Sequence, residues 1–187
     1  SYLLKHHVTD KIFVMATASY YNELKKNDLC VTTDCDASVD IVLTAFDTEL
    51  TYEKVEKACR LLMDSQKERI WLATNADLRC PVDFGMIPDC GSICNMLQAA
   101  TDRTPQYLGK PSPGLADYSM EMTGFSKEET LVVGDRIYTD IACGENAGVE
   151  TCLVLTGEAK REDVEDADNR IDFCFPSVRE LYEALTC

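Results

Sequence analysis

The chain has 187 residues, 45% of them hydrophobic and 27% charged, with a formal net charge of -15. That length and balance describe a folded chain with a sizeable core, in one large domain or two small ones. The negative charge, with no basic cluster beside it, argues against nucleic acid as a partner, and no apolar run approaches the ~18 residues of a membrane helix.

The opening stretch "SYLLKHH" reads as the middle of a helix and starts with Ser1 rather than Met, so a native start further upstream is expected. His6 and His7 are read as having no acidic or cysteine partner nearby and are expected at the surface. "KIFVMA" (11–16) predicts a strand, and "SYYNELKKN" (19–27) a short helix with Tyr20, Tyr21 and Leu24 on one side. "VDIVLTAF" (39–46) predicts a buried strand from its apolar, β-branched content. A helix follows in "TYEKVEKACRLLMD", capped by Thr51, with Val55, Cys59 and Leu62 at helical spacing. "RIWLAT" (69–74) is a further strand, ending in the polar loop "NADLRCP", and "GSICNMLQAAT" (91–101) is a helix opened by Gly91-Ser92.

A second series then begins. "QYLGKPSPGLADYSMEMTG" predicts a short strand, a turn and a helix, with Ser112 as cap, Pro113 at the first position and Gly124 at the end. "TLVVGD" (130–135) is an apolar strand and "TDIACGENAG" (139–148) a helix. "ETCLVLTG" (150–157), the charged "EAKREDVEDADNR", "IDFCFP" (171–176) and "VRELYEAL" (178–185) complete the series. Strands alternating with helices predict βαβ units and an α/β fold. The ten cysteines are scattered through apolar segments, and the close pairs Cys30/Cys35 and Cys90/Cys94 lack C-x-x-C spacing. They predict small buried hydrophobes in a reducing, cytoplasmic setting.

Ligands of open α/β sheets sit at the carboxyl ends of strands. Three strand ends here carry polar groups. Gly134-Asp135 follows "TLVV", where the glycine allows a sharp turn, and Asp140 falls in the first turn of the next helix. Two acids so placed suit a hard cation such as Mg2+, or else an N-capping Asp with a surface Asp. Lys110, between Gly109 and Pro111, is held on a stiff turn and suits a phosphate or an acid elsewhere in the site, or plain solvent. Asn75 and Asp77 present donors and acceptors from a tight loop. A fourth feature, Asp34-Cys35-Asp36, has the D-x-D spacing of a nucleophile and an acid/base pair.

The stretches "GKPSPGL" and "LVVGDRIYTDIACGENAGVETCLVLTG" resemble the third and fourth motifs of the haloacid dehalogenase (HAD) superfamily. "LATNADLRCP" with "GMIPDCGSICNMLQAAT" resembles the large α/β cap of its p-nitrophenyl phosphatase / phosphoglycolate phosphatase branch. The resemblance covers essentially the whole chain. It implies a linker helix at 1–10, an α/β cap at 11–105 and the C-terminal half of a HAD-like Rossmannoid core at 106–187. It further implies a Mg2+-dependent phosphatase of a small phosphomonoester. Lys110 would hold the phosphoryl group, Asp135 would be a Mg2+ ligand, Asp140 would orient Lys110 or a metal-bound water, and Asn75 and Asp77 would help choose the leaving group. Caps of this branch contribute to dimers, so a homodimer is also expected.

The family's first two motifs, the DxDG strand end and the Ser or Thr strand end, have no counterpart in these 187 residues. Asp34-Cys35-Asp36 is a poor substitute. Ala37-Ser38 follows it instead of glycine, its lead-in "LCVTT" is polar at its end, and it falls between two cap strands. It is expected to be a solvated loop, with the nucleophile upstream of Ser1, the chain inactive alone, and "TLVV" an exposed sheet edge. The alternative is a non-catalytic remnant serving as a binding module. A dinucleotide binder is set aside for lack of G-x-G-x-x-G after a strand.

Overall fold

The computed structural model describes residues 2–186 and divides the chain into two compact units, Ser1–Leu108 and Gly109–Cys187. It is a mixed α/β protein built on parallel sheets, as the alternating pattern requires.

The first unit opens with the helix α1 (Tyr2–His6), the strand β1 (Ile12–Met15), the helix α2 (Ala18–Lys26) and the strands β2 (Val31–Thr32) and β3 (Ile41–Thr44). It continues through α3 (Tyr52–Leu62), β4 (Ile70–Ala73), β5 (Arg79–Val82), β6 (Gly85–Pro88), α4 (Cys90–Thr101) and β7 (Gln106–Tyr107). Five strands form a parallel sheet in the order β2-β1-β3-β4-β7. Every residue of β1 and β3 is buried, because helices cover both faces, so these strands read as unbroken apolar runs instead of alternating ones. The period-2 alternation survives in which face each side chain serves. Phe13, Met15, Val42 and Trp71 pack with Ala58, Leu61, Ile93 and Leu97 of α3 and α4. Ile12, Val14, Ile41, Leu43 and Leu72 pack with Leu3 of α1 and Leu24 of α2.

Three details differ from the reading of the sequence. His7 has an acidic partner after all, Nδ1 lying 2.8 Å from Asp10 Oδ2, with only 12% of its side chain exposed. The stretch after "NADL" is not merely a loop: β5 and β6 pair as an antiparallel ribbon with Phe84, 85% exposed, near its tip. Helix α4 is capped by Asp89, whose carboxylate accepts from Cys90 N at 2.6 Å, rather than opened by Gly91-Ser92.

The second unit contains α5 (Gly114–Thr123), a 3-10 turn (Lys127–Glu129), β8 (Leu131–Gly134), a π-helical turn (Ile137–Ile141), α6 (Ala142–Ala147) and β9 (Glu150–Val154). It ends with α7 (Arg161–Glu165), β10 (Phe173–Phe175) and α8 (Val178–Thr186). The cap position of α5 falls on Pro113, not Ser112, whose hydroxyl instead accepts from Gly114 N at 3.4 Å. The three strands form a parallel sheet in the order β10-β9-β8. Ala116, Cys143 and Ala147 of α5 and α6 pack against one part of it, with Val132 partly buried among them. Leu181 of α8 covers Cys152 and Val154. Among the described residues β8 pairs with β9 alone, which leaves it a sheet edge with Val133 40% exposed.

The first unit's core predicts a contrast. Leu43→Ala removes a fully buried side chain between two packed layers and is expected to cost about 2–5 kcal/mol in urea unfolding. Met63→Ala, at a position 63% exposed, is expected to stay within about 0.5 kcal/mol. Equal losses at both positions would contradict the layer assignment.

Candidate active site

At the carboxyl end of β8 the chain passes through Gly134, Asp135 and Arg136 into the π-helical turn that carries Asp140. Asp140 is 8% exposed, folded back against the strand end. Its Oδ2 accepts from Arg136 N at 3.1 Å, and its Oδ1 accepts from Lys110 Nζ at 2.6 Å. A Cβ added at Gly134 would lie 2.2 Å from the Asp140 Cβ. The glycine is therefore required for the close approach of Asp140 and not, as its place at a turn suggested, for backbone freedom.

Lys110 comes from the loop ahead of α5. Ser112 N donates to Gly109 O at 2.9 Å to close that loop, and Asn146 Nδ2 donates to Pro111 O at 2.9 Å. Cys143 Sγ donates to Ser112 O at 3.2 Å, and burial pushes that thiol up, which leaves it a neutral packing group. The loop is thus fastened to α6, and the ammonium reaches the acid thirty residues downstream with 29% of its side chain exposed.

Asp135 is held from the other side. Its Oδ2 accepts from Glu158 N at 2.8 Å, and its carbonyl accepts from Ala159 N at 3.0 Å. A Cβ at Gly157 would fall 1.9 Å from the same Oδ2. Arg136 and Glu158 meet as an ion pair, Nε to Oε2 3.0 Å, with their side chains only 12% and 16% exposed. Gly157 and Glu158 were not singled out from the sequence. Their contribution runs through the backbone, and position after the strand "ETCLVLTG" was the only available signal.

The first unit carries the other two candidates. Asn75 Nδ2 donates to Asp77 Oδ2 at 2.8 Å and lies 3.5 Å from Asp89 Oδ1, while Thr74 Oγ1 donates to Asn75 Oδ1 at 2.9 Å. Gly91 N donates to Asp77 O at 2.8 Å, and a Cβ on Gly91 would lie 2.3 Å from Ala76 O. The loop is therefore seated on the first turn of α4, and Asp89 both caps that helix and braces Asn75. Asp34 and Asp36 occupy an exposed loop after β2. Asp36 Oδ2 accepts from Lys11 Nζ at 2.8 Å, and its other oxygen accepts from Ser38 N at 2.8 Å and from the Ser38 hydroxyl. The bond from Lys11 holds its carboxyl well below the usual range, so Asp36 is ion-paired rather than merely wet.

A hard divalent cation takes one or two carboxylates, several waters and substrate phosphate. Asp135, a strand-end carboxylate oriented by the Glu158 N–H, has the donor chemistry for one such position. Asp140 is committed to Lys110 and Arg136 N. Among the described residues no three His, Cys, Asp or Glu gather as a metal group. The residues present fit Mg2+ as a partial set supplying one carboxylate.

Lys110, Asp135 and Asp140 thus gather at the carboxyl end of β8, the end of the strands at which open α/β sheets take their ligands. A HAD-hydrolase-like family model matches residues 107–181. The ribonucleotide monophosphatase NagD of Escherichia coli (strain K12) is 30% identical over 178 residues, covering 95% of this chain and 68% of that protein. The 5'-nucleotidase YutF of Bacillus subtilis is 36% identical over 129 residues, 69% of this chain, and the chain spans only 49% of its length. The crystal structure of a 4-nitrophenylphosphatase from Thermotoga maritima matches with a TM-score of 0.83 at 39% identity, covering 99% of this chain and 69% of that one. The chain belongs to the HAD superfamily, in the branch of NagD and the p-nitrophenyl phosphatases, and these relatives are phosphatases.

The packing of Gly134 on Asp140 predicts that Gly134→Ala lowers stability by about 2 kcal/mol or more, as overpacking against a buried group does. The measurement is the urea midpoint, and an unchanged midpoint would contradict the close approach.

Proposed function

We propose that the protein containing this chain is a Mg2+-dependent phosphatase of a small phosphomonoester. The observation that carries the reading is the 2.6 Å contact of Lys110 with Asp140, on the same strand end as Asp135. A phosphoryl group in transfer carries charge on its outer oxygens, and a fixed ammonium stabilises that charge without having to reorganise. Asp140 holds Lys110 in place beside the site. Asp135 is the residue that would hold the metal. Mg2+, when bound, supplies neutralising charge for the phosphoryl oxygens.

The covalent step belongs to an aspartate outside residues 1–187. Its carboxylate oxygen bonds to phosphorus while the ester oxygen departs and is protonated, and water then breaks the acyl-phosphate to release inorganic phosphate. Asp36 is unsuited to that role, tied as it is to Lys11 and Ser38. On this reading 1–10 is a linker helix, 11–105 a cap whose sheet also takes in β7, and the remainder of 106–187 the C-terminal half of the core. The loop of Asn75 and Asp77, braced by Asp89, would meet the leaving group. The scattered free cysteines support a cytoplasmic enzyme, and the cap resemblance supports a homodimer.

In the full gene product, Lys110→Ala and Asp135→Asn are each expected to lower kcat for p-nitrophenyl phosphate by about 10^2-fold or more. Retained activity in either variant would sink the assignment. The 187-residue chain alone is expected to show no Mg2+-dependent turnover. Turnover abolished by Asp34→Asn would overturn both that expectation and the reading of the 34–36 loop.

A further inference from the structure

We propose that Arg136 and Glu158 are positioning residues whose ion pair fixes the direction of the Asp135 carboxylate. The proposal deepens the reading of Asp135 as a Mg2+ carboxylate and rests on it. A carboxylate at a strand end can rotate about its side-chain bonds, so its direction has to be imposed by donors. Here the Glu158 N–H holds Oδ2 at 2.8 Å. That donor lies in the loop after β9, between Val154 and α7, and loops drift unless something fastens them.

Two fastenings are present. Ala159 N donates to the Asp135 carbonyl at 3.0 Å. The Glu158 side chain reaches back to the Arg136 guanidinium as a charge contact, Oε2 to Nε 3.0 Å, with no hydrogen bond at either of those two atoms among the described residues. The result is a closed ring: the Asp135 carboxylate, the Glu158 backbone, the Glu158 side chain, the Arg136 side chain, and the peptide link back to Asp135. Gly157 completes it, since a Cβ there would lie 1.9 Å from the carboxylate oxygen. The loop backbone can approach the acid this closely only without a side chain at that position.

The pair is mostly buried, with side chains 12% and 16% exposed. An exposed pair could break and re-form at little cost, and would hold nothing in place. A mostly buried pair resists opening, because either charge left alone in that setting is poorly solvated. Neither side chain has to touch substrate to matter. Their effect passes through the Glu158 N–H, which survives most side-chain substitutions, so a variant at Glu158 tests the position of the loop and not the loss of the donor.

The experiment is Mg2+ titration calorimetry on the full gene product without substrate, with KM and kcat for p-nitrophenyl phosphate measured at rising Mg2+. Glu158→Ala is expected to weaken Mg2+ binding by about 10-fold, the lower end of what supporting partners of metal ligands contribute. Its kcat should recover at high Mg2+ with KM for substrate unchanged. Arg136→Lys, which keeps the charge, should recover most of the affinity that Arg136→Ala loses. If Glu158→Ala does not fold, Glu158→Gln, of equal size, carries the same expectation. Unchanged Mg2+ affinity beside a lowered melting temperature would make the pair merely structural and overturn the proposal. Asp135→Asn separates the two levels. If it abolishes Mg2+ binding while the Glu158 variants leave it intact, the positioning role alone fails. If it too leaves Mg2+ binding intact, the metal reading fails and takes the positioning role with it.

Discussion

In a chain of net charge -15, one ammonium held 2.6 Å from a mostly buried carboxylate is the contact around which the end of β8 is arranged. Asp140 can lie against the end of β8 only because Gly134 has no side chain. There each of its carboxylate oxygens has a donor, Lys110 Nζ on one and the Arg136 N–H on the other. Lys110 in turn can reach it only because the Gly109–Ser112 turn is fastened to α6 through Pro111 and Ser112. Removing one member of a buried pair typically costs roughly 3–5 kcal/mol, and less where, as for Lys110, part of the side chain meets water. On the proposed reading Lys110 is the local cation that an acidic protein needs if an anionic ligand is to approach.

The first unit solves a different problem with the same type of sheet. Its five parallel strands bury both faces, so its polar groups appear where strands end. The loop after β4 is shaped by backbone bonds to α4 and by the Asn75, Asp77 and Asp89 side chains, a polar arrangement seated on a helix start. The D-x-D of residues 34–36 shows how spacing can mislead. Asp36 looks reactive in one dimension, and in three it is a partner for Lys11 and a turn-former with Ser38.

Much of this was legible in the sequence because period and punctuation carry it. Short apolar runs located β1, β3, β4, β8 and β9, and Thr51 and Gly124 marked the helix ends they occupy. The polar strand ends drew attention to Lys110, Asp135 and Asp140, of which the structure joins Lys110 to Asp140 beside Asp135. What escaped notice did so for physical reasons. The β5–β6 ribbon buries none of its residues, so it carries no apolar run, and Pro81 and Pro88 speak against strand. Asp89 was hidden by the stronger look of Gly91-Ser92 as a helix opening. Glu158 acts on Asp135 through its N–H, a group every residue but proline has, so its identity could not announce the contact.

The most direct test of the account is a crystal structure of the full gene product with Mg2+ and a phosphate mimic such as tungstate. The account predicts the cation on the Asp135 carboxylate and a mimic oxygen within hydrogen-bond distance of Lys110 Nζ, with Asp140 still paired to that lysine. A cation and mimic bound elsewhere, with Lys110 and Asp140 closed on each other alone, would contradict it.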